Sequence, residues 1–317
     1  MSIFVVSLDF ELFWGVAESR TISSYRRNIE GVWEAVPKIL DLFYRYEISA
    51  TWATVGMLMC RDYAQWRDIR PSVMPSYDRS QCSTYALDSV VRENPRMFFA
   101  RPLVEQILAT PGQELGGHSY SHFYCTESGA TPEQFAADLL CARDVASDLG
   151  ISYRSFVFPR NQVDGDCLAE LVKAGYKVYR GNPQHWLYSS GHHVSGGWAG
   201  RGIRLADAYL PISGNKTSKT SPEGGLVNRS ASFFLRPWSR RFSALEPLRL
   251  QRLKGAMLSA AQAGEVFHLW WHPHNFGINT EQNLAVLESL LDHYLVLRDR
   301  YGMESASMGD FATGPTP

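Results

Sequence analysis

The chain of 317 residues contains five cysteines, carries a formal net charge of −1, and has no uninterrupted apolar run near the roughly 20 residues of a membrane span. The cysteines are odd in number and include no CxxC pair, which favours reduced thiols over a disulfide framework. The small net charge excludes a global field that would attract nucleic acid or an anionic membrane. With 45% hydrophobic and 20% charged residues, the composition is that of a globular protein with a sizeable core.

The first residues also lack the features of a secretory signal. The apolar stretch at residues 3–8 is short, and the acidic residues Asp9 and Glu11 come directly after it. No basic segment precedes this stretch and no small-residue cleavage site comes after it. We therefore interpret it as a strand, and we expect a soluble, cytoplasmic protein without a membrane span.

Over most of its length the sequence alternates between short apolar strand patterns and helical periods. This alternation predicts an α/β fold with a parallel sheet, either open or closed into a barrel. Residues 60–98 and 185–245 show no clear period and are interpreted as long insertions in a single domain over residues 1–317, the second with some strands of its own. The predicted strands cover residues 3–8, 49–55, 114–117, 155–158, 176–179 and 266–271, with a short strand near the end, and the predicted helices cover about residues 29–46, 99–110, 132–150, 165–174, 246–263 and 280–300.

Two histidines four residues apart, His118 and His122, come after the predicted third strand. Imidazoles at this spacing can converge on one ion, and imidazole nitrogen suits zinc, copper, iron and nickel. The pair alone therefore does not identify a metal. Packing in the core is the competing explanation, because the chain contains nine histidines.

Further polar residues come after other predicted strands, and the carboxyl ends of parallel strands face a common site. Asp9 and Glu11 end the first strand, and their period-two spacing directs both carboxylates to one side of an extended chain. Pro159-Arg160-Asn161 comes after the fourth strand and His272-Pro273-His274 after the late one. We predict a metal site in which one acid binds the ion and the other activates water, although a solvated acidic pair is the alternative for Asp9 and Glu11.

These motifs resemble those of the NodB-homology polysaccharide deacetylases, the group of carbohydrate esterase family 4. His118-Ser119-Tyr120-Ser121-His122 matches the family's HxxxH metal motif. Ser7-Leu8-Asp9-Phe10-Glu11 matches its acidic first strand, in the spaced arrangement that some members use. Residues 51–56 are similar to the second strand, and Phe158-Pro159 through Gly175-Tyr176 to the proline motif and the helix after it. Trp270-Trp271-His272, with Leu269 just before it, matches the late LxH motif.

The resemblance covers about residues 1–56, 99–182 and 246–312, and it implies a distorted (β/α)7 barrel with two long insertions. It also implies a metal-dependent hydrolase acting on the C–N bond of linear amides, with zinc as the preferred divalent cation.

The same resemblance assigns roles to individual residues. Asp9 would be the general base and Glu11, His118 and His122 would bind the metal, although the two acids could exchange roles. His272 would protonate the leaving group, and His274 is the alternative acid. Within the same strand, His268 and Trp270 are interpreted as core residues.

Three positions depart from the family pattern. Phe10 stands in place of the usual second aspartate, and Val157 stands where an arginine is expected before the proline. His185-Trp186 replaces an Asp-Trp pair. Arg160 is therefore a candidate for the charge that orients the base, with a plain surface cation as an equal alternative. Candidate substrate-binding residues are Asn161, Trp186 and His274.

The resemblance thus implies removal of an N-acetyl group from an amino sugar. The expected cytoplasmic location suggests that this sugar belongs to a nucleotide- or lipid-linked precursor in surface-polysaccharide assembly. An arginine cluster would contact a phosphate of such a substrate or form a solvated basic face. Within enzymes, the alternatives are removal of an O-acetyl or formyl group and hydrolysis of a non-sugar amide. A catalytically silent carbohydrate-binding protein is the alternative from another class, favoured modestly by the three departures. The cluster consists of Arg236, Arg240, Arg241, Arg249 and Arg252.

Overall fold

The computed structural model describes residues 1–183, 185, 187, 198–219, 221–223 and 225–313. Trp186, a predicted substrate-binding residue, lies outside the described residues. Among the helices in the described part of the chain, none combines the length and apolar composition needed to cross a bilayer.

A mainly parallel sheet forms the centre of the fold, and β1 lies in its middle. The strands of the described residues are β1 (Ile3–Phe10), β2 (Ala50–Thr54), β3 (Gln113–Gly117), β4 (Ser155–Val157), β5 (Val178–Arg180), β6 (Ser221–Glu223), β7 (Leu226–Asn228), β8 (Phe233–Phe234), β9 (Val266–Trp271) and β10 (Glu304–Ala306). β1 pairs with β2 on one side and with β9 on the other. The hydrogen-bonded order is β6-β7-β5-β4-β3-β2-β1-β9-β8, and β10 pairs additionally with β1. The pairings are parallel except that between β6 and β7.

The chain from β7 to β8 joins the two edges of this sheet. β7 pairs with β5, and β8 pairs with β9. Between them, the backbone amide of Ala231 donates to the Gly181 carbonyl at 2.9 Å, and the next amide, of Ser232, donates to the His268 carbonyl at 2.8 Å. Residues 226–235 therefore act as one bent strand that closes the sheet.

Together with β1 to β5 and β9, this bent strand gives the distorted (β/α)7 barrel that the sequence predicted. The stretch predicted as an insertion at residues 185–245 thus includes a strand of the barrel, while residues 60–98 contain two short helices, Tyr63–Asp68 and Asp88–Glu93.

Helices pack outside the sheet, and the helix predicted at residues 29–46 is divided in two at Gly31. An added Cβ at Gly31 would lie 1.9 Å from the Gly277 carbonyl oxygen, so only glycine permits this close approach. The contact fixes the first of the two helices against the loop after β9. The helices of the described residues are α1 (Ile22–Glu30), α2 (Val32–Arg45), α3 (Tyr63–Asp68), α4 (Asp88–Glu93), α5 (Arg101–Ala109), α6 (Pro132–Ser147), α7 (Gly165–Lys173), α8 (Trp198–Asp207), α9 (Glu246–Ala263) and α10 (Thr280–Tyr301).

Candidate active site

Glu11 lies between the two histidines of the HxxxH motif. Its Oε1 is 3.0 Å from His118 Nε2 and 3.2 Å from His122 Nε2. All three side chains are buried. Glu11 comes directly after β1 and His118 directly after β3, so the parallel strands deliver these groups to the same edge of the sheet. The structure therefore brings together one carboxylate and two imidazoles that could share an ion.

The loop carrying the histidines is held in an unusual conformation by Asp138 on α6. Ser119 and His122 both have φ of 57°, in the left-handed region that non-glycine residues rarely adopt. The Asp138 carboxylate accepts hydrogen bonds from the amides of Tyr120, at 2.6 Å, and Ser121, at 3.0 Å. Burial raises the pKa of Asp138 to about 6, although these hydrogen bonds lower it. Asp138 thus positions the histidine loop without contacting the other site residues described above.

The chemistry of this buried set fits a divalent cation. His118 Nδ1 donates to the Val157 carbonyl at 2.7 Å, because a carbonyl can only accept. A neutral His118 then presents the lone pair of Nε2 to the Glu11 carboxylate, so a proton or a cation must separate the two acceptors. Zinc with bonds of about 2.0–2.2 Å holds tetrahedral ligand atoms roughly 3.3–3.6 Å apart, close to the spacing found here.

Asp9 is held by an arginine that the sequence analysis did not identify. Arg180 Nη1 lies 2.6 Å from Asp9 Oδ1 and Nη2 lies 2.7 Å from Oδ2. Arg180 also donates to Ser7 Oγ at 3.0 Å and to Asn161 Oδ1 at 2.9 Å. Burial raises the pKa of Asp9, but the charge of Arg180 and its hydrogen bonds outweigh this, so that the pKa is lowered overall. Asp9 is therefore a carboxylate at neutral pH.

Arg160, the arginine predicted to orient the base, does not contact Asp9. Its guanidinium pairs with Glu18 and lies 3.8 Å from Glu127. It also stacks over the Tyr124 ring at 4.7 Å. Arg180, and not Arg160, is the arginine beside Asp9. The sequence did contain a signal for Arg180, because a charged residue comes directly after the predicted fifth strand at residues 176–179.

His272 faces the two carboxylates from the end of β9. Its Nε2 is 3.8 Å from Asp9 Oδ2 and 3.7 Å from Glu11 Oε1, and its side chain is 23% exposed. The His274 ring stacks on it with centroids 4.9 Å apart. Burial lowers the pKa of His274 to about 3, which keeps this ring neutral near pH 7. Of the two candidate acids, His272 is thus the one that lies within reach of both carboxylates and of solvent.

Asp9, Glu11, His122 and His272 border one open cleft. His268 is buried, as we expected for a core residue. Its Nε2 lies 2.8 Å from Ser7 Oγ, and its Nδ1 lies 2.9 Å from the Arg229 carbonyl oxygen. Trp270 is only partly buried and was wrongly placed in the core, since its ring lies 4.3 Å from the Arg180 guanidinium and borders the cleft. The cleft is lined by Asp9, Glu11, Gly15, Val16, His122, Arg160, Asn161, Phe234, Trp270, His272, His274 and Asn275.

A family model for polysaccharide deacetylases matches residues 30–179. The matched segment contains both histidines of the HxxxH motif and Asp138. It ends one residue before Arg180 and begins after Glu11. A sequence search of curated proteins returned no match.

Several solved structures share the fold. A protein from Mycobacterium smegmatis described as a polysaccharide deacetylase superposes with a TM-score of 0.60 at 12% identity, covering 98% of this chain and 89% of the other. PuuE allantoinase superposes with a TM-score of 0.56 at 11% identity, covering 99% and 92% of the two chains. A 4-alpha-glucanotransferase from Thermococcus litoralis also gives 0.56 at 11% identity, covering 100% of this chain and 39% of the other.

At these identities the likeness shows the fold alone, and the fold is shared by enzymes of different reactions. The family match rests on sequence and agrees with the motifs around His118 and Asp9. Residues 30–179, just under half of the chain, thus match the polysaccharide deacetylase family, as a divergent sequence.

Proposed function

We propose that this protein is a metal-dependent hydrolase that removes the N-acetyl group of an amino sugar, in a precursor for surface-polysaccharide assembly. One observation carries the proposal: Glu11 contacts both motif histidines, and Asp9, held by Arg180, lies beside them in the same cleft. Glu11, His118 and His122 would hold the ion, with zinc preferred for this mixture of imidazole and carboxylate. The bound cation would polarise the amide carbonyl and acidify water.

Asp9 would accept the proton of the attacking water. Its two carboxylate oxygens are already engaged by Arg180, but each oxygen has a second lone pair free for a further hydrogen bond. The two-point contact fixes the plane of the carboxylate and keeps it ionised, as a base that must act near neutral pH requires. Arg180 is a positioning residue in this scheme, because it acts through Asp9.

His272 would donate a proton from Nε2 to the leaving nitrogen. An amine is a poor leaving group unless it is protonated as the C–N bond breaks. His272 Nε2 lies within 4 Å of Asp9 and Glu11, and the partial exposure of its side chain would allow it to exchange protons with solvent. His274 would then support the His272 ring by stacking and would not act as the acid.

The side chains that border the cleft support an amino sugar as the substrate. Phe234 and Trp270 are partly buried aromatic side chains that border it beside His272. Aromatic faces of this kind stack on the apolar faces of sugar rings. Asn161 comes after β4, and its Oδ1 accepts a hydrogen bond from Arg180. We expect its side chain to contact the hydroxyl groups of the sugar.

The test is to measure acetate released from acetamido sugars by the zinc-loaded protein. Wild type should release acetate, Asp9→Asn should not, and Asp41→Asn, which changes an exposed aspartate on α2, should behave as wild type. Release of formate from formamido sugars, or turnover of O-acetyl esters or a non-sugar amide such as allantoin in preference, would favour the corresponding alternative reaction. Equal, background-level release by wild type and Asp9→Asn from every substrate would instead favour a silent binding protein.

A further inference from the structure

A series of hydrogen bonds connects Asp9 to the interior of the barrel. Arg180 Nη1 donates to Ser7 Oγ at 3.0 Å as well as to Asp9. Ser7 Oγ lies 2.8 Å from His268 Nε2, and His268 Nδ1 lies 2.9 Å from the carbonyl oxygen of Arg229. The side chains of Ser7, Asp9, Arg180 and His268 are all buried. We call this series of contacts, from Asp9 to the Arg229 carbonyl, the inner network.

The inner network crosses the barrel between several strands. Ser7 and Asp9 lie two residues apart on β1, so their side chains point to the same face of the sheet. Arg180 ends β5 and His268 lies in β9. Arg229 belongs to the bent strand that closes the sheet, and its amide donates to the Tyr179 carbonyl of β5. The network therefore ties Asp9 to both of the strands that the bent strand joins.

The direction of each hydrogen bond in the inner network can be deduced. His268 Nδ1 must carry a proton, because the Arg229 carbonyl can only accept. Burial lowers the pKa of His268 to about 3, so the ring is neutral near pH 7. Its Nε2 then has no proton and must accept from the Ser7 hydroxyl. Ser7 has thereby used its only hydrogen, and its oxygen can accept from Arg180.

Ser7 completes the set of acceptors around Arg180. The two terminal nitrogens of the guanidinium carry four hydrogens. Nη1 donates to Asp9 and Ser7, and Nη2 donates to Asp9 and Asn161, so each of the four hydrogens has an acceptor. Without the Ser7 oxygen, one buried N–H would have no acceptor, which would favour rotation of the guanidinium away from Asp9.

We propose that Ser7 and His268 are positioning residues for the base. His268 orients the Ser7 hydroxyl, and Ser7 holds Arg180 in its two-point contact with Asp9. The inference rests on the proposed function, in which Asp9 is the base. It predicts that a change at His268, which does not border the cleft, alters the rate through Ser7 and Arg180.

The kinetic test replaces Ser7. In the zinc-loaded protein, Ser7→Ala should lower kcat for an acetamido sugar about tenfold, the size of a hydrogen bond to a charged group, with KM and zinc content unchanged. Hydrolysis of p-nitrophenyl acetate should fall by a similar factor, because both reactions need a deprotonated water. An unchanged kcat in folded Ser7→Ala would overturn the inference.

Ser2→Ala is the control for Ser7→Ala. Ser2 is also buried, and its Oγ has no hydrogen-bond partner among the residues that the structure describes. Its replacement should leave kcat at the wild-type value. A loss equal to that of Ser7→Ala would show a general effect of removing a buried hydroxyl, and the proposed role of Ser7 would be wrong.

Variants of His268 test whether this residue orients Ser7. His268→Phe keeps a buried ring but removes the acceptor, and it should lower kcat about as much as Ser7→Ala. His268→Gln can accept from Ser7 through its amide oxygen and should retain most of the wild-type kcat. Equal losses in the two folded variants would overturn the role of His268. Thermal unfolding shows which variants are folded.

A spectroscopic measurement separates this inference from the reaction itself. NMR spectra of protein labelled with ¹⁵N in its histidine rings report which ring nitrogen carries the proton, and the His268 signals are those missing in His268→Gln. We expect the neutral Nδ1–H form at pH 7 and a changed Nε2 signal in Ser7→Ala, which lacks the donor. The Nε2–H form, or a charged ring, would overturn the inference even if the protein proves to be a deacetylase. Absence of turnover with the Nδ1–H form in place would count against the proposed function and not against the inner network.

Discussion

Arg180 holds Asp9 through two parallel contacts, with Nη1 2.6 Å from Oδ1 and Nη2 2.7 Å from Oδ2, and both residues are buried. The two residues come from β5 and β1, which are separated by three strands in the sheet. The ion pair therefore spans the interior of the barrel. Arg180 belongs to a different strand from Val157, the position where the resemblance led us to expect an arginine.

Replacing Arg180 should change both stability and the pH dependence of activity. Arg180→Met leaves Asp9 buried without a cation, which should cost about 3–5 kcal/mol in the free energy of unfolding, measured with urea. Because Arg180 lowers the pKa of Asp9, its loss should move the acid limb of the kcat/KM profile to higher pH. Arg160→Met is the control: it should leave the position of that limb unchanged, whatever its effect on the rate.

Zinc should stabilise the folded protein through Glu11, His118 and His122. At a free zinc concentration 100 times the dissociation constant, the expected gain is about 2.7 kcal/mol. Differential scanning calorimetry of chelator-treated protein, with and without added zinc, measures this gain independently of any substrate. His118→Asn should lose the gain and His293→Asn, on the distant helix α10, should keep it. A gain retained by His118→Asn would remove His118 from the site.

Replacement of His272 and replacement of His274 should differ in how their effect on the rate depends on the leaving group of the substrate. His272→Gln should reduce hydrolysis of an acetamido sugar by about 10²–10⁴-fold, the usual contribution of a general acid. Its effect on p-nitrophenyl acetate should be much smaller, since p-nitrophenoxide leaves without a proton. The rates of both reactions for His272→Gln and His274→Gln check this. If His274→Gln shows the leaving-group dependence and His272→Gln does not, the assignment is reversed.

His268 should make the protein less stable in mild acid. Burial lowers its folded-state pKa to about 3, while an unfolded histidine titrates near 6.5. Between these values the unfolded chain binds the extra proton, so stability is lost as pH falls. From pH 7 to pH 5 this one group should remove about 2 kcal/mol from the free energy of unfolding. Urea denaturation at both pH values should show a smaller decrease for His268→Gln, and an identical decrease would exclude His268 as the cause.

Much of the candidate site could be predicted from the sequence because its residues come directly after apolar strands. Asp9, Glu11, His118 and His272 each stand at a strand end, and parallel pairing brings such ends to one edge. In the structure, His118 Nε2 lies 3.0 Å from Glu11 Oε1, and His272 Nε2 lies 3.8 Å from Asp9 Oδ2. Their roles in catalysis remain predictions.

The contacts of Arg180 and Asp138 could not be predicted in the same way. Arg180 meets Asp9 only because the sheet closes and a long side chain crosses its interior, which local periodicity does not encode. Asp138 lies in the middle of α6, and its partners are backbone amides of a distant loop. Asp138 has no sequence pattern of its own, and the place of Arg180 directly after the predicted fifth strand does not identify Asp9 as its partner.

Strands were expected within residues 185–245, but their position and their role in closing the barrel were missed for a different reason. β7 and β8 comprise three and two residues, too short to show an alternating pattern. Their neighbours are rich in glycine, serine and arginine, which are typical of loops. The pairing with β5 and β9, and not the local composition, gives these residues their extended conformation.

The most direct test of the account is zinc content measured beside turnover in Asp9→Asn and Glu11→Gln. We predict that Asp9→Asn keeps nearly the zinc content of wild type but loses about 10²–10⁴-fold in acetate release, whereas Glu11→Gln loses the zinc itself. Loss of zinc from Asp9→Asn with retention in Glu11→Gln, or acetate release by Asp9→Asn at the wild-type rate, would contradict it.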